Sequence, residues 1–410
     1  MSSFSASTPA SAPTASSRER QRVGWAASSA HAVHDGLTDL IYVLLPLWQS
    51  QFALSYAMTG LMRGLYAGCM AGLQLQAGHW AERWGRKALL VGGTALAGLA
   101  YLLAGQSGGL MTLMLALALG GAGASTQHPL ASALVADAYQ GDAAGSRRAL
   151  ARYNFAGDLG KMALPAAVAL LLASWSWQST VSAVGLFGLA AAALLAWLLP
   201  AEARGPAGAA GVSASATTPS AAELAALHSG GFRALLATGV IDSAVRMGFL
   251  TFLPFILQTK GAGTAGIGLA LTLLFIGGAA GKLVCGWLGQ RLGMMKTVWL
   301  TETATALLML ALLALPLQPL MALLPLLGVA LNGTSSVLYG SVPELVSPAA
   351  RTRAFSLFYT GVIGSSAIAP IVLGAIGDAW GVMPAQQALA ALLLLTLPLA
   401  WRVQRELSAH

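Results

Sequence analysis

Apolar runs of about 20 residues, separated by short polar breaks, recur along nearly the whole chain. They lack the every-second-residue alternation of strands, and each is long enough to cross a hydrocarbon layer of about 30 Å as a helix rising about 1.5 Å per residue. The pattern predicts helices near 25–48, 56–79, 88–105, 112–137, 150–173, 180–199, 233–256, 266–289, 298–315, 320–342, 354–376 and 385–401. Over 201–232 the runs give way to a stretch such as Ala-Gly-Val-Ser-Ala-Ser-Ala-Thr-Thr-Pro-Ser, with too little apolar surface to order itself. It reads as a linker between six-helix bundles at 25–200 and 233–402. Residues 1–24, rich in Ser, Ala, Thr and Pro and without an apolar core, read as a disordered tail rather than a signal peptide, and 403–410 as a second tail. The expected fold class is an all-α membrane protein, with twelve transmembrane helices in two pseudo-symmetric bundles.

Composition narrows this further. Hydrophobic residues make up 56% of the 410 and charged residues only 9%, against roughly a quarter charged in soluble domains. The net charge of +8 invites a nucleic-acid reading, but the cations are not spread over a surface. Arg83, Arg86, Lys87, Arg147, Arg148, Arg291, Lys296, Arg351 and Arg353 all fall at one set of helix ends, and Lys260 falls at the other. Short loops rich in Lys and Arg stay in the cytoplasm. The charge is therefore a topology signal, implying both termini inside, a bacterial-type inner membrane, and no nucleic-acid partner. Cys69 and Cys285 each sit inside an expected helix and read as small core residues. No Gly-rich loop ends in Lys-Ser/Thr, and no His or Cys spacing matches a metal motif. Neither a cofactor nor a metal nor an enzymatic activity is expected.

The halves echo one another. Asp35, Asp39, Pro46 and Gln49 of the first expected helix are matched by Asp242, Arg246, Pro254 and Gln258 of the seventh, as duplication of a six-helix unit would leave them. Between the second and third helices stands Gly78-His79-Trp80-Ala81-Glu82-Arg83-Trp84-Gly85-Arg86-Lys87. It resembles the major facilitator signature G-x-L-A-D-R-x-G-R-[RK], with Glu82 for the usual Asp and Trp80 for the usual Leu. A degraded copy, Gly286-Trp287-Leu288-Gly289-Gln290-Arg291-Leu292-Gly293, occupies the equivalent place in the second half. The resemblance implies a major facilitator fold, with Gly78 and Gly85 permitting a tight turn and Glu82, Arg83, Arg86 and Arg291 latching the cytoplasmic side. In the first half His31 with Asp35, Pro46 with Gln49, His128-Pro129 and Phe155-Ala156-Gly157-Asp158-Leu159-Gly160 resemble the fosmidomycin-resistance group of efflux proteins. That resemblance implies proton-driven export of a small polar or amphiphilic compound.

An ionisable side chain at the bilayer centre costs roughly 2.5–3.5 kcal/mol on insertion scales, so those kept there face a cavity or a partner. Asp35 lies about 15 Å into the first helix, and His31, Asp35, Thr38 and Tyr42 fall within about 60° of one another, with His34 and Asp39 flanking. Carboxylate and imidazole are the groups whose proton occupancy can change with exposure. Asp35 is the expected proton carrier and His31 its relay, with Asp39 as the substitute; holding helices together by hydrogen bonds is the structural alternative. Asp158 with Lys161 and Asp242 with Arg246 sit one turn apart, as self-neutralising pairs or as ligands of an anionic substrate. Arg63 has no acid one turn away, so Asp35 or Asp39 is its expected partner. Gln127 and His128 precede Pro129, which favours a kink lined by polar groups. Lys282 reads as a cation snorkelling to the interface, and Glu302, near a helix start, carries no expected role.

The expected function is secondary active transport: proton-coupled antiport of a small compound, anionic among the candidates, by rocking of the two halves. Uptake of an anionic metabolite by symport is the alternative, and a non-transporting receptor on the same fold a third. Expected partners are substrate, protons and the bilayer, with the chain a monomer because its halves close the cavity against each other. Proton handling is expected mainly within 25–173, helix 7 contributing from across the cavity.

Overall fold

The computed structural model describes residues 16–200, 227–347 and 350–408. Residues 201–226 of the linker expected over 201–232 lie outside the described residues, as do residues 1–15 and 409–410 of the expected tails, and the expected linker ends early because a helix begins at Gly230. The first half runs through α1 (Ser17–Asp39), α2 (Ile41–Phe52), α3 (Tyr56–Trp84), α4 (Arg86–Gly105), α5 (Leu110–Ala124), α6 (Gln127–Ala138), α7 (Ala143–Leu171) and α8 (Trp177–Leu198). The second holds α9 (Gly230–Thr259), α10 (Thr264–Leu292), α11 (Met294–Ala314), α12 (Leu317–Ser341), α13 (Arg351–Trp380), α14 (Val382–Leu393) and α15 (Thr396–Leu407). The described residues contain no strand. Among them, nine helical stretches are long and apolar enough to cross a membrane: α4, α5 with α6, α8, α9, α10, α11, α12, α13, and α14 with α15. The remaining long stretches, α1–α2, α3 and α7, are those that carry Asp35 and Asp39, Arg63, and Asp158 with Lys161.

Both tails are shorter than expected. α1 begins at Ser17 because the Ser16 hydroxyl accepts from the Glu19 amide at 3.2 Å, capping the first turn, and Arg22 donates to the Trp197 carbonyl at 3.3 Å. At the other end α15 continues to Leu407, where the Glu406 carboxylate accepts from the Gly231 amide at 2.6 Å. That amide belongs to the first turn of α9, whose unpaired N–H groups favour an anion. Polar tethers, which carry no hydropathy signal, order both segments.

The signature loop is a one-residue turn. Gly85 (φ 85°) joins α3 to α4 and Gly293 (φ 88°) joins α10 to α11, so the same left-handed glycine serves both halves. The break between α5 and α6 falls at Ser125 and Thr126, since Pro129 offers no N–H to the Ser125 carbonyl four residues back.

The halves meet along α3 with α13 and α7 with α10. Small residues let the backbones approach: Gly60 and Gly64 lie against the carbonyls of Pro370 and Ala367, and Gly374 against that of Tyr56. Asp378 accepts from the Tyr56 and Ala57 amides at 2.6 and 2.9 Å, and Tyr56 packs edge-on against Phe252 and Phe255. These contacts gather at the end opposite the glycine turns. Ile41–Pro46 and Trp48 of α2 are buried there, where α2 packs against α9.

Candidate functional site

α1 and α7 pack closely enough to share one polar cluster. An added Cβ at Gly160 would run into the Ala32 carbonyl, and one at Gly36 would sit 2.8 Å from the Leu164 Cβ. This close approach brings α7 over the titratable face of α1, and α6 supplies His128 beside them.

Asp35 is the centre. Its Oδ2 lies 3.3 Å from His31 Nε2 and 3.4 Å from Lys161 Nζ; its Oδ1 lies 3.8 Å from His34 Nε2 and 3.9 Å from His128 Nε2. The His31 ring stacks on Tyr153 with centroids 4.0 Å apart, and His128 meets His34 edge-on at 4.7 Å. His31 Nδ1 stands 2.9 Å from the Tyr153 carbonyl oxygen. A carbonyl only accepts, so Nδ1 carries a hydrogen and Nε2 is the nitrogen presented to Asp35. Were His31 neutral and Asp35 ionised, two lone pairs would face each other at 3.3 Å. One proton on either atom converts that clash into a hydrogen bond.

The expected Asp158–Lys161 pair is not formed. Lys161 turns to Asp35 instead, and Asp158 receives Lys282 of α10 at 2.7 Å on each oxygen. Spacing along α7 allowed the local pair, but α10 packs on the Asp158 face and brings in a cation with room to donate to both oxygens. The snorkelling reading of Lys282 is thereby corrected: it bridges the two halves. Asp242 and Arg246 do pair, at 3.4 Å, and Arg246 reaches Ser335 at 3.4 Å.

Arg63 likewise departs from expectation. It donates to the Tyr42 hydroxyl at 3.0 Å and lies over the Tyr42 and Tyr66 rings at 5.0 and 5.8 Å, rather than pairing with Asp35 or Asp39. Tyr42 in turn donates to Met247 Sδ of α9 at 3.4 Å, so Arg63 supports the contact between halves. Asp39 is buried nearby without an ion pair to Arg63. Gln127 is buried among first-half helices beside a small cavity lined by His34, Leu37, Tyr66 and Thr94, and does not face the second half. Of the two residues before Pro129, His128 alone joins the Asp35 cluster.

In the gating loop Gly78 faces open space, while Glu82 and Arg83 are exposed. Arg86 pairs with Asp137 at the end of α6 at 2.6 Å, and Lys87 donates to the Leu199 carbonyl at 2.5 Å. Arg291 stacks on Trp287 at 4.5 Å. The bonds formed here therefore tie the loop to its own half.

Tyr153, Gly157 and Lys282 were not singled out as site residues from the sequence. An added Cβ at Gly157 would lie 2.6 Å from Asp35 Oδ2 and 2.8 Å from His31 Nε2, so only glycine leaves space for the pair. The sole signal for it was its place in the Phe-Ala-Gly-Asp motif. A Lys in an apolar helix was the signal for Lys282; its partner lies in the other half and has no sequence spacing to betray it.

The cross-half bridge can be tested by charge reversal. Asp158→Lys and Lys282→Asp are each expected to reduce transport about tenfold, as like charges meet where an ion pair stood, and the double swap to recover most of it. Initial rates in vesicles matched for protein content check this.

A lipid-facing apolar shell around two packed helical halves, with buried charges where they meet, defines a multi-pass membrane transporter. The chain belongs to the Major Facilitator Superfamily, whose sequence model matches residues 27–263 and 235–409. It is 30% identical over 171 residues to the fosmidomycin resistance protein of Escherichia coli (strain K12), a match that spans 40% of each chain. In fold it is similar to a bacterial homolog of the human lysosomal transporter Spinster. Against the inward-facing occupied structure of that protein the TM-score is 0.77 at 16% identity, and against the unoccupied one 0.76 at 15%. In both cases 95% of this chain and 98% of the other are covered.

Proposed function

We propose that this secondary transporter is a proton-coupled exporter of small anionic compounds. The observation that carries the reading is the His31 ring, oriented by the Tyr153 carbonyl so that Nε2 faces Asp35 Oδ2 at 3.3 Å, a geometry in which the two can share one proton. Lys161 stands on the same oxygen. When the proton leaves, the carboxylate and Lys161 tighten into an ion pair; when it returns, Lys161 is released toward the cavity. Proton occupancy thus sets whether a cation is available to substrate. His34 and Asp39 border this group and complete the path for the proton.

An anion is favoured because the cations are the accessible members of their pairs. The Lys282 side chain is 42% exposed against 10% for Asp158, and Lys161 32% against 8% for Asp35. A substrate entering between the halves meets Lys282, His128 and Lys161, and the less exposed Arg246 after them. The fosmidomycin resistance protein is 30% identical over 171 residues, and the resistance it is named for supports export as the direction.

With α1–α2, α5–α6 and α14–α15 each crossing once, the chain has twelve passes and both termini in the cytoplasm of a bacterial-type inner membrane. The bonds that join the halves lie from Asp158–Lys282 toward the end opposite the glycine turns, so the state described admits substrate from the cytoplasmic side. A single chain provides both walls of the cavity and acts as a monomer. No enzymatic step is assigned.

Thermal-shift screening with fosmidomycin, other phosphonates, organic acids and cationic drugs tests the substrate class. Stabilisation by anions that is lost in Lys161→Ala is expected; stabilisation by cations alone overturns the anionic reading. Direction of labelled movement in everted against right-side-out vesicles separates export from symport.

A further inference from the structure

Glu302 of α11 is 1% exposed, and its Oε1 has no hydrogen-bond partner. Its neighbour Thr301 donates to the Thr297 carbonyl at 2.9 Å and receives Thr334 at 2.8 Å. The charged groups that act on it are Asp242 and Arg246 of α9. Arg246 directs its terminal nitrogens to Asp242 and to Ser335, and its Nε is buried without a partner, so its donors are not spent on Glu302. Asp242 and Glu302 thus share one cation, Arg246, while Lys282 of α10 is held by Asp158 across the interface. An ionised carboxylate without donors in hydrocarbon is not sustained; it keeps a proton or gains a partner.

We propose that Glu302 is a second proton-binding site, independent of the His31–Asp35 pair and located in the opposite half. Its proton neutralises the Asp242–Arg246–Glu302 group. When an anion draws Arg246 away from Asp242, Glu302 keeps its proton and Asp242 takes one up from the water that enters with the anion. When Arg246 returns, it accepts one carboxylate as partner and the other stays protonated. Each half then carries its own protonatable group, and the protein loads a proton in the second half whether or not the first is occupied.

The test is infrared spectroscopy of the full-length protein in lipid vesicles at neutral pH, read at the carbonyl stretch of a protonated carboxylic acid. Carbon-13 labelling of glutamate alone is expected to shift a component of that band in the otherwise unaltered protein, and Glu302→Gln to remove that component. Asp35→Asn is expected to leave it in place, which separates this site from the first one. An unshifted band on glutamate labelling overturns the proposal, as does a shifted component that survives in Glu302→Gln. The labelling arm needs no variant, so a folding failure of Glu302→Gln leaves the outcome decided by it.

Discussion

Asp35→Asn is expected to abolish concentrative transport while leaving the fold intact. The amide keeps the shape of the carboxyl but cannot exchange a proton with His31, and it leaves the Lys161 ammonium without its counter-charge. Breaking a buried pair by removing one partner costs about 3–5 kcal/mol of stability, and gradient-driven flux is expected to fall to background. Downhill exchange of labelled for unlabelled substrate needs no proton movement and should persist. Flux assays with and without an imposed pH gradient separate the two activities. The double variant Asp35→Asn with Lys161→Gln, which removes both charges together, should recover protein stability without recovering coupling.

Gly157→Ala is expected to be almost as damaging, for a steric reason. One methyl group would press on Asp35 Oδ2 and on the His31 ring at 2.6–2.8 Å, driving apart the two groups that share the proton. Overpacking of this kind costs about 1–3 kcal/mol, enough to displace a side chain without unfolding a protein of this size. Transport should fall roughly tenfold or more and melting temperature only slightly. Gly160→Ala offers the contrast, because its methyl would meet the Ala32 backbone carbonyl, which has no freedom to move. There the loss should appear first as poor yield and a lowered melting temperature.

The architecture was legible because each helix must bury or expose a whole apolar run, and run length, loop charge and the paired glycine turns all register locally in sequence. The His31–Asp35 pair was legible for the same reason, since residues four apart on a helix are neighbours. What spacing along one helix cannot reveal is competition from another. Lys161 and Asp158 are three apart on α7, yet each takes a partner from elsewhere, Asp35 on α1 and Lys282 on α10. Arg63 was assigned an acid because a buried cation needs compensation; two aromatic faces and a phenol supply it instead. From the sequence Glu302 reads as lying near a helix start, but α11 begins at Met294 and the packing of α12 and α14 against it leaves Glu302 buried. In each instance the deciding group lies on a different helix, where neither periodicity nor motif gives warning.

The central claim is that proton occupancy of the His31–Asp35 pair drives export, and one measurement addresses it directly. Everted vesicles acidified inside, loaded with the protein and offered a radiolabelled anion chosen from the thermal-shift screen, report accumulation driven by the gradient alone. Accumulation that collapses on adding a protonophore and is absent in Asp35→Asn is the predicted result. Accumulation that survives the protonophore, or that Asp35→Asn sustains at the level of the unaltered protein, would contradict it.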